Sequence, residues 1–379
     1  MHNTKKMQVY CLLKERIESG FYPPGSRLPK EVDLAAELAV SRVTLRPALD
    51  LLEIEKLITR IKGIGTFARD EKTERIKLLA IAEQGDPEKA DYVSNPFLFI
   101  LPCLQAAADR MNASLEICES RSLLGLDPKR CAAKIVEGGI QGIFWLSNFF
   151  AGKEPLLETV RRTRLPVLLP HSNLADAEIT GFAAMGTNYD ELTRDGLRYL
   201  ATMGHRRVAY IGDADMHGVP LEKYLEWIRE SELDPDPKLI ERVKWRKGKQ
   251  IVFDAMERLM KRPDPPTAIL AFSDYLSLLV YEFLHREKIR IPEDAAVLTI
   301  GGQICCDFLN PSLSALDYCS QEIAERAVKA MLEMIYDRRR FKFVVTPHCL
   351  KVRESTKKVI VYPNRPDSKT RKQLQIIKR

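Results

Sequence analysis

The stretch GSRLPKEVDLAAELAVSRVTLRPALDLLEIEKLITRIKGIGTF, residues 25–67, carries the densest local signals in the chain. Val32, Leu34, Ala35 and Leu38 recur at the three- and four-residue spacing of one buried helix face, which predicts a helix over 30–38. After a short turn, Ser41 stands where a helix N-cap belongs, its hydroxyl placed to accept a hydrogen bond from an otherwise unpaired amide. The next helix, 42–56, is expected to bury Val43, Leu45, Leu49, Leu52 and one of Ile54 and Leu57, turning Arg42, Thr44 and Arg46 outward. Residues 57–59 and 65–68 read as short strands about a glycine-bearing tip, Lys62-Gly63-Ile64-Gly65. Helix, turn, helix and hairpin in that order describe a winged helix-turn-helix.

A helix start with two exposed guanidinium groups suits the major groove of double-stranded DNA, because arginine donates two parallel bonds to guanine or clamps phosphate oxygens. Solvated arginines on a small three-helix domain give the same bare pattern. The full string is more specific: over residues 7–69 it resembles the GntR family of bacterial transcription regulators. The resemblance rests on Ile17-Glu18-Ser19-Gly20, on 22–29, on Leu34-Ala35-Ala36-Glu37-Leu38, on Val40-Ser41-Arg42 with Thr44-Leu45-Arg46, and on Gly63-Ile64-Gly65-Thr66-Phe67. It implies DNA contacts from Ser41, Arg42, Thr44 and Arg46, and from Lys62 and Gly63 in the wing. Two positions depart from the family pattern. Val32 stands where an arginine is usual, with Lys30 as the replacement charge, and Pro47 lies inside the second helix, where it has no amide to bond back to Val43. A local kink or bulge is expected there.

Working outward, residues 7–18 form an amphipathic helix that completes the small domain, 1–69, and the charged run DEKTER, 70–75, reads as a linker. From Ile76 short apolar runs alternate with helical stretches, the rhythm of parallel sheets covered by helices. Two sheets are expected, one ending near Leu169 and one beginning near Ala183 and closing with a strand at 343–346. Paired α/β lobes bind small molecules in the cleft at the carboxyl ends of their strands.

The second half sharpens this. Gly196-Leu197-Arg198-Tyr199-Leu200, the run 203–212, Pro266-Thr267-Ala268-Ile269 with Ser273-Asp274, Ile291-Pro292-Glu293-Asp294, Pro311-Ser312-Leu313-Ser314 and Arg353-Glu354-Ser355-Thr356 are together similar to LacI/GalR-type regulators and periplasmic sugar-binding proteins. The resemblance implies an α/β fold: a two-lobed periplasmic-binding-protein-like domain of parallel sheets flanked by helices over 76–356, preceded by the winged helix-turn-helix. It also implies effector contact at Asp274, which otherwise reads as a helix-capping residue. Gln303 stands where the family carries an acidic ligand residue, and Pro220 or Leu221 where it carries an arginine. By strand-end position Asn148, His171, Ser172 and Asp213 are further ligand candidates. His205, beside Gly204 and two arginines at a helix end, reads as structural. Trp145 reads as core.

A chain of 379 residues with 45% hydrophobic content builds two or three ordinary domains. No run approaches the roughly 20 apolar residues of a membrane span and no secretory segment opens the chain, so no membrane partner and a cytoplasmic location are expected. Eight cysteines lack any CxxC or zinc-ligand spacing, so reduced scattered thiols are expected, with no metal and no cofactor. The net charge of +7 is uneven. Residues 351–379 hold ten Lys and Arg against two acidic groups, and a basic tail, 357–379, suits phosphate attraction, although a merely solvated terminus has the same composition. No phosphate-loop, nucleophile-elbow or HExxH pattern occurs, so no enzyme is expected. The expected function is a sequence-specific transcription regulator, a repressor in the resembled families, acting as a homodimer on a palindromic operator. Its effector is a small molecule, with a sugar the class implied. The alternative is a regulator or binding module with a degenerate pocket, controlled by a partner protein.

Overall fold

The computed structural model describes residues 5–61, 63–68, 75–82, 97–214, 221–244 and 247–357. Helices α1 (Lys5–Glu18), α2 (Glu31–Glu37) and α3 (Arg42–Ile54) enclose a small core of Leu13, Leu34, Leu45, Leu49 and Leu52. The buried positions of α3 are Leu45, Ala48, Leu49 and Leu52, the i, i+3, i+4, i+7 set of one face. That phase leaves Val43 82% exposed, contrary to its expected burial, and of the pair Ile54 and Leu57 it is Leu57 that packs against the core while Ile54 is 75% exposed. The helix also runs unbroken through Pro47. The bond lost is one to Val43, an exposed residue, where solvent substitutes for the missing amide. Strands β1 (Ile58–Ile61) and β2 (Gly65–Ala68) pair antiparallel as the wing.

The rest of the chain is α/β. Its first part runs β3 (Ile76–Ala82), α4 (Phe97–Arg110), β4 (Ala113–Glu119), α5 (Pro128–Glu137), β5 (Gly142–Leu146), α6 (Leu157–Thr163), β6 (Val167–Pro170), α7 (Leu174–Thr180), β7 (Ala183–Thr187) and α8 (Tyr189–Thr202). There follow β8 (Val208–Asp213), α9 (Leu221–Glu230), β9 (Ile240–Val243), α10 (Lys249–Met260), β10 (Ala268–Ala271), α11 (Asp274–Arg286), β11 (Ala296–Gly301), α12 (Cys305–Phe308), β12 (Ser314–Asp317), α13 (Ser320–Tyr336), β13 (Phe343–Thr346) and β14 (Cys349–Lys351). Strands such as β5, GIFWL, are buried along their whole length, as parallel strands covered on both faces must be.

Two six-stranded sheets result, in the orders β13-β7-β6-β5-β3-β4 and β14-β12-β11-β10-β8-β9. The first is parallel throughout, and the second is parallel except for β14. The expected division of strands is corrected here: β7 and β13 belong to the first sheet, not the second. The chain therefore passes between the lobes three times, after β7, after β12 and after β13. α13 returns to the first lobe and packs along α4. Among the described residues no helix is long and apolar enough to cross a membrane.

The wing is seated on the first lobe. Ile61, Ile64 and Phe67 join the apolar cluster that holds Leu78, Leu104, Val328 and Met331. Phe67 meets Tyr336 with ring centroids 4.4 Å apart, and Arg27 clasps Asp337 through two bonds of 2.6 and 2.8 Å. The Arg27 guanidinium also donates to the Ile64 carbonyl and crosses so close to Gly65 that a Cβ there would lie 2.6 Å from its Nε. A cavity of about 410 Å³, lined by Thr59, Ile61, Phe67, Ile76 and Tyr336 among others, remains at this joint.

Candidate nucleic-acid interface and ligand cleft

The N-cap predicted at Ser41 is formed: its Oγ accepts from the Thr44 amide at 3.2 Å and lies 3.0 Å from the Thr44 hydroxyl. The cap directs the first turn of α3 outward, leaving the Arg42 and Arg46 side chains 53% and 56% exposed. Both reach Glu31, at 3.6 and 2.9 Å. Lys30 is exposed beside it, at the N-cap of α2. The fold thus brings Lys30, Ser41, Arg42, Thr44 and Arg46 onto one side of the head, with a carboxylate at the centre. Val43, expected in the core, adds an exposed apolar side chain to that side, of the kind that meets a thymine methyl group. Only the phase of the other leucines signals its position. In the wing, Lys62 lies outside the described residues. Gly63 has φ 77° and faces α13, where a Cβ would lie 3.1 Å from Lys329 Nζ.

At the other end of α13 lies a cleft of about 850 Å³ between the lobes. Its walls come from α4, the loop 301–304, the second lobe crossing and the first turns of α13. The charged groups of the lining are paired among themselves or with neighbours. Asp317 holds Lys351, Asp307 receives Arg353 at 2.7 Å, Glu322 receives Arg326 at 2.5 Å and Glu325 receives Arg110 at 2.9 Å. Rings gather at the crossings. His171 lies against Tyr318 with centroids 4.7 Å apart, and its Nε2 is 3.2 Å from the Tyr189 hydroxyl. Tyr189 in turn stacks on Phe272 at 6.1 Å. Burial lowers the His171 imidazole to about 4 and raises the Tyr189 phenol to about 12, so both are neutral near pH 7.

The sequence-based ligand candidates divide on this geometry. His171 and Gln303 line the cleft. Asp274 does not reach it. Its buried carboxylate accepts the amides of Gly302 and Gln303 at 3.1 and 3.0 Å and the Cys306 thiol at 3.3 Å, so it shapes the loop that forms one cleft wall. Nor does it cap its own helix, since Ser273 Oγ accepts from the Leu276 amide instead. Desolvation raises the pKa of this carboxyl, opposed by those same amide bonds. Ser172 donates to Asp176 at 2.7 Å and is spent on the α7 turn. Asn148, half-buried past the end of β5, and Asp213, buried at the end of β8, are not among the residues lining the cleft. Pro220 lies outside the described residues. Trp145 packs on Phe150 at 5.0 Å in the core, and His205 Nδ1 meets the Thr267 hydroxyl at 2.9 Å, a structural role.

Of the rings at the crossings, Tyr318 lines the cleft with His171, whereas Tyr189 and Phe272 are not among the lining residues, and none of the three was a site candidate from the sequence. Each directly follows or closely trails a strand end, but β12 was not anticipated, so Tyr318 had no strand to trail. Among the described residues no group of three or more His, Cys, Asp or Glu side chains is arranged to hold a metal ion.

Comparison with known proteins follows the same division. Residues 5–68 match the model of bacterial regulatory proteins, gntR family, and residues 197–356 match the model of a periplasmic binding protein-like domain. The chain is 22% identical to the arabinose metabolism transcriptional repressor of Geobacillus stearothermophilus over 94% of its own length and 99% of that protein. It is 26% identical to the transcriptional repressor CytR of Escherichia coli strain K12 over 38% of this chain and 44% of that one. A solved transcriptional regulator CelR–cellobiose complex superposes with a TM-score of 0.57 at 18% identity, covering 86% of this chain and 100% of that one.

Proposed function

We propose, from a chain that sets a gntR-type winged helix-turn-helix before a LacI-type periplasmic-binding-protein-like domain, that this protein is a sequence-specific transcription regulator of repressor type whose DNA affinity is set by a neutral polyhydroxyl effector, a sugar, in the cleft. The observation that carries the reading is α13. Its first residues, Ser320 to Glu322, line the cleft, and its last, Tyr336 with Asp337 just beyond, hold the wing. Its 17 residues span about 25 Å, so a lobe movement at one end moves the head at the other. A ligand can shift this balance only as far as it prefers one lobe arrangement over the other.

The effector class follows from the lining. Its ionic groups have partners, so a charged ligand would have to break an ion pair to gain one, whereas a neutral polyol gains hydrogen bonds and lays its C–H face on the rings. Two of the similar proteins, an arabinose metabolism repressor and a regulator solved with cellobiose, are consistent with this class. A homodimer on a two-fold operator fits a head with one reading helix per chain. The experiment selects double-stranded DNA from a random pool with the full chain, then screens sugars by thermal shift and by release of that DNA. Arg42→Ala with Arg46→Ala should weaken binding of the selected DNA by at least about 30-fold, each arginine counting for about 1–3 kcal/mol, with the unfolding midpoint unchanged. Retained DNA affinity would overturn the reading.

One observation favours a second reading, in which a partner protein replaces the small molecule. The ring cluster closes on itself through the His171–Tyr189 bond, and Asp274 and Ser172 are already committed. If DNA is selected but no sugar shifts the melting midpoint, this reading stands.

A further inference from the structure

Cys319 and Cys349 are 30 residues apart in sequence and lie in contact across two of the three lobe crossings, sulfur to sulfur at 3.2 Å. Cys319 follows β12 and leads into α13, with its φ of 55° turning the chain. Cys349 opens β14, which pairs with β12 so that Asp317 stands opposite Cys349. Both thiols are half-buried, and Cys319 lines the cleft, so a small solute reaches the pair from there. The adjacent cysteines at 305 and 306 are otherwise engaged, Cys306 donating to Asp274.

We infer that Cys319 and Cys349 form a redox-sensitive dithiol, which hydrogen peroxide converts to a disulfide that ties the second lobe crossing to the third. Cys349 attacks first. Burial pushes the Cys319 thiol up to about 12, and its Sγ donates to the Cys349 sulfur, which leaves Cys319 as the second partner. The Cys349 sulfur bonds to one peroxide oxygen, the O–O bond breaks, and the departing hydroxide takes up a proton to leave as water. The resulting sulfenic acid is attacked by the Cys319 sulfur, which has given its proton to solvent. The S–S bond forms, the S–O bond breaks, and the second hydroxide leaves with a proton as water. Two electrons pass from the two thiols to the O–O bond, and two waters result. The chemistry stands apart from any effector; its consequence, a hinge held near one lobe opening, rests on the function proposed above.

The test uses the full chain with hydrogen peroxide as the probe, quenched by alkylation and unfolded for analysis. The expected result is a loss of two titratable thiols from the eight cysteines, a mass loss of two hydrogens and a cross-linked peptide joining Cys319 to Cys349, all reversed by dithiothreitol. Cys319→Ser and Cys349→Ser should each abolish the cross-link, and Cys305→Ser should leave it. Cys349→Ala serves where a serine variant does not fold. In the oxidised protein, amide exchange at 317–319 and 347–351 should slow by about tenfold or more. Oxygen added to either sulfur without a cross-link, or an unchanged mass, would overturn the dithiol. A disulfide that forms while amide exchange is unchanged would overturn the lock, and leaves the effector reading intact.

Discussion

Glu31 takes both Arg42 and Arg46 of α3, so on the proposed function the face offered to DNA is neutralised from within until phosphate or a base edge displaces the carboxylate. Exposed pairs of this kind contribute at most about 1 kcal/mol, so the arginines are held loosely. Glu31→Gln should leave the unfolding free energy within about 1 kcal/mol of the parent and tighten DNA binding at low salt, read by fluorescence anisotropy. Weaker binding would mean that Glu31 aims the arginines rather than masking them. His171 supplies a second test at this scale. Its folded pKa of about 4 lies below the unfolded value, so below about pH 6.5 the unfolded chain binds the proton more readily. Stability is therefore lost as pH falls from about 6.5 to about 4, by an amount on the order of 3 kcal/mol. His171→Gln should flatten that part of the profile in chemical denaturation, and an unchanged slope would refute the assignment. Ser41 and Arg42 were legible in the sequence because a cap and its helix are neighbours. Asp274 was not: its partners lie 28 and 29 residues away, and nothing local records that their amides need an acceptor.

The helix α13 is the element on which cleft and head meet. Its apolar period was readable, but not its lobe, because β12 is four residues long and its SALD carries too little pattern to mark a strand. Without β12 the second crossing is invisible, and α13 is assigned to the wrong body. The wing suffered a related loss. Residues 57–59 and 65–68 were readable as a hairpin, but not that Ile61, Ile64 and Phe67 pack in a cluster with Val328 and Met331, or that Phe67 meets Tyr336, far along the chain. The Arg27–Asp337 pair latches that contact from its edge. Asp337→Ala should leave the melting midpoint of the lobes nearly unchanged, release the wing to faster amide exchange, and reduce the effect of a cleft ligand on DNA affinity at least severalfold. Coupling at the parental level in this variant would show that α13 does not transmit.

For the whole molecule, the number of lobes could be read from the strand–helix rhythm and their membership could not. The first lobe is assembled from 76–187 together with 320–346, and the second lies between and beyond. A fragment ending at Thr187 lacks α13 and β13 and uncovers Leu104, Phe144 and Leu168, which are otherwise fully buried. It should show no cooperative thermal transition by circular dichroism, whereas residues 75–357 should melt cooperatively; a folded short fragment would contradict the topology. The three crossings also order events at the ribosome. Neither the first lobe nor the seat of the reading head can be finished until residue 346 has emerged, so during synthesis the head is tethered to an incomplete platform. Chains halted early would carry a head with no platform to seat it and, on the proposed function, no means of coupling it to a ligand.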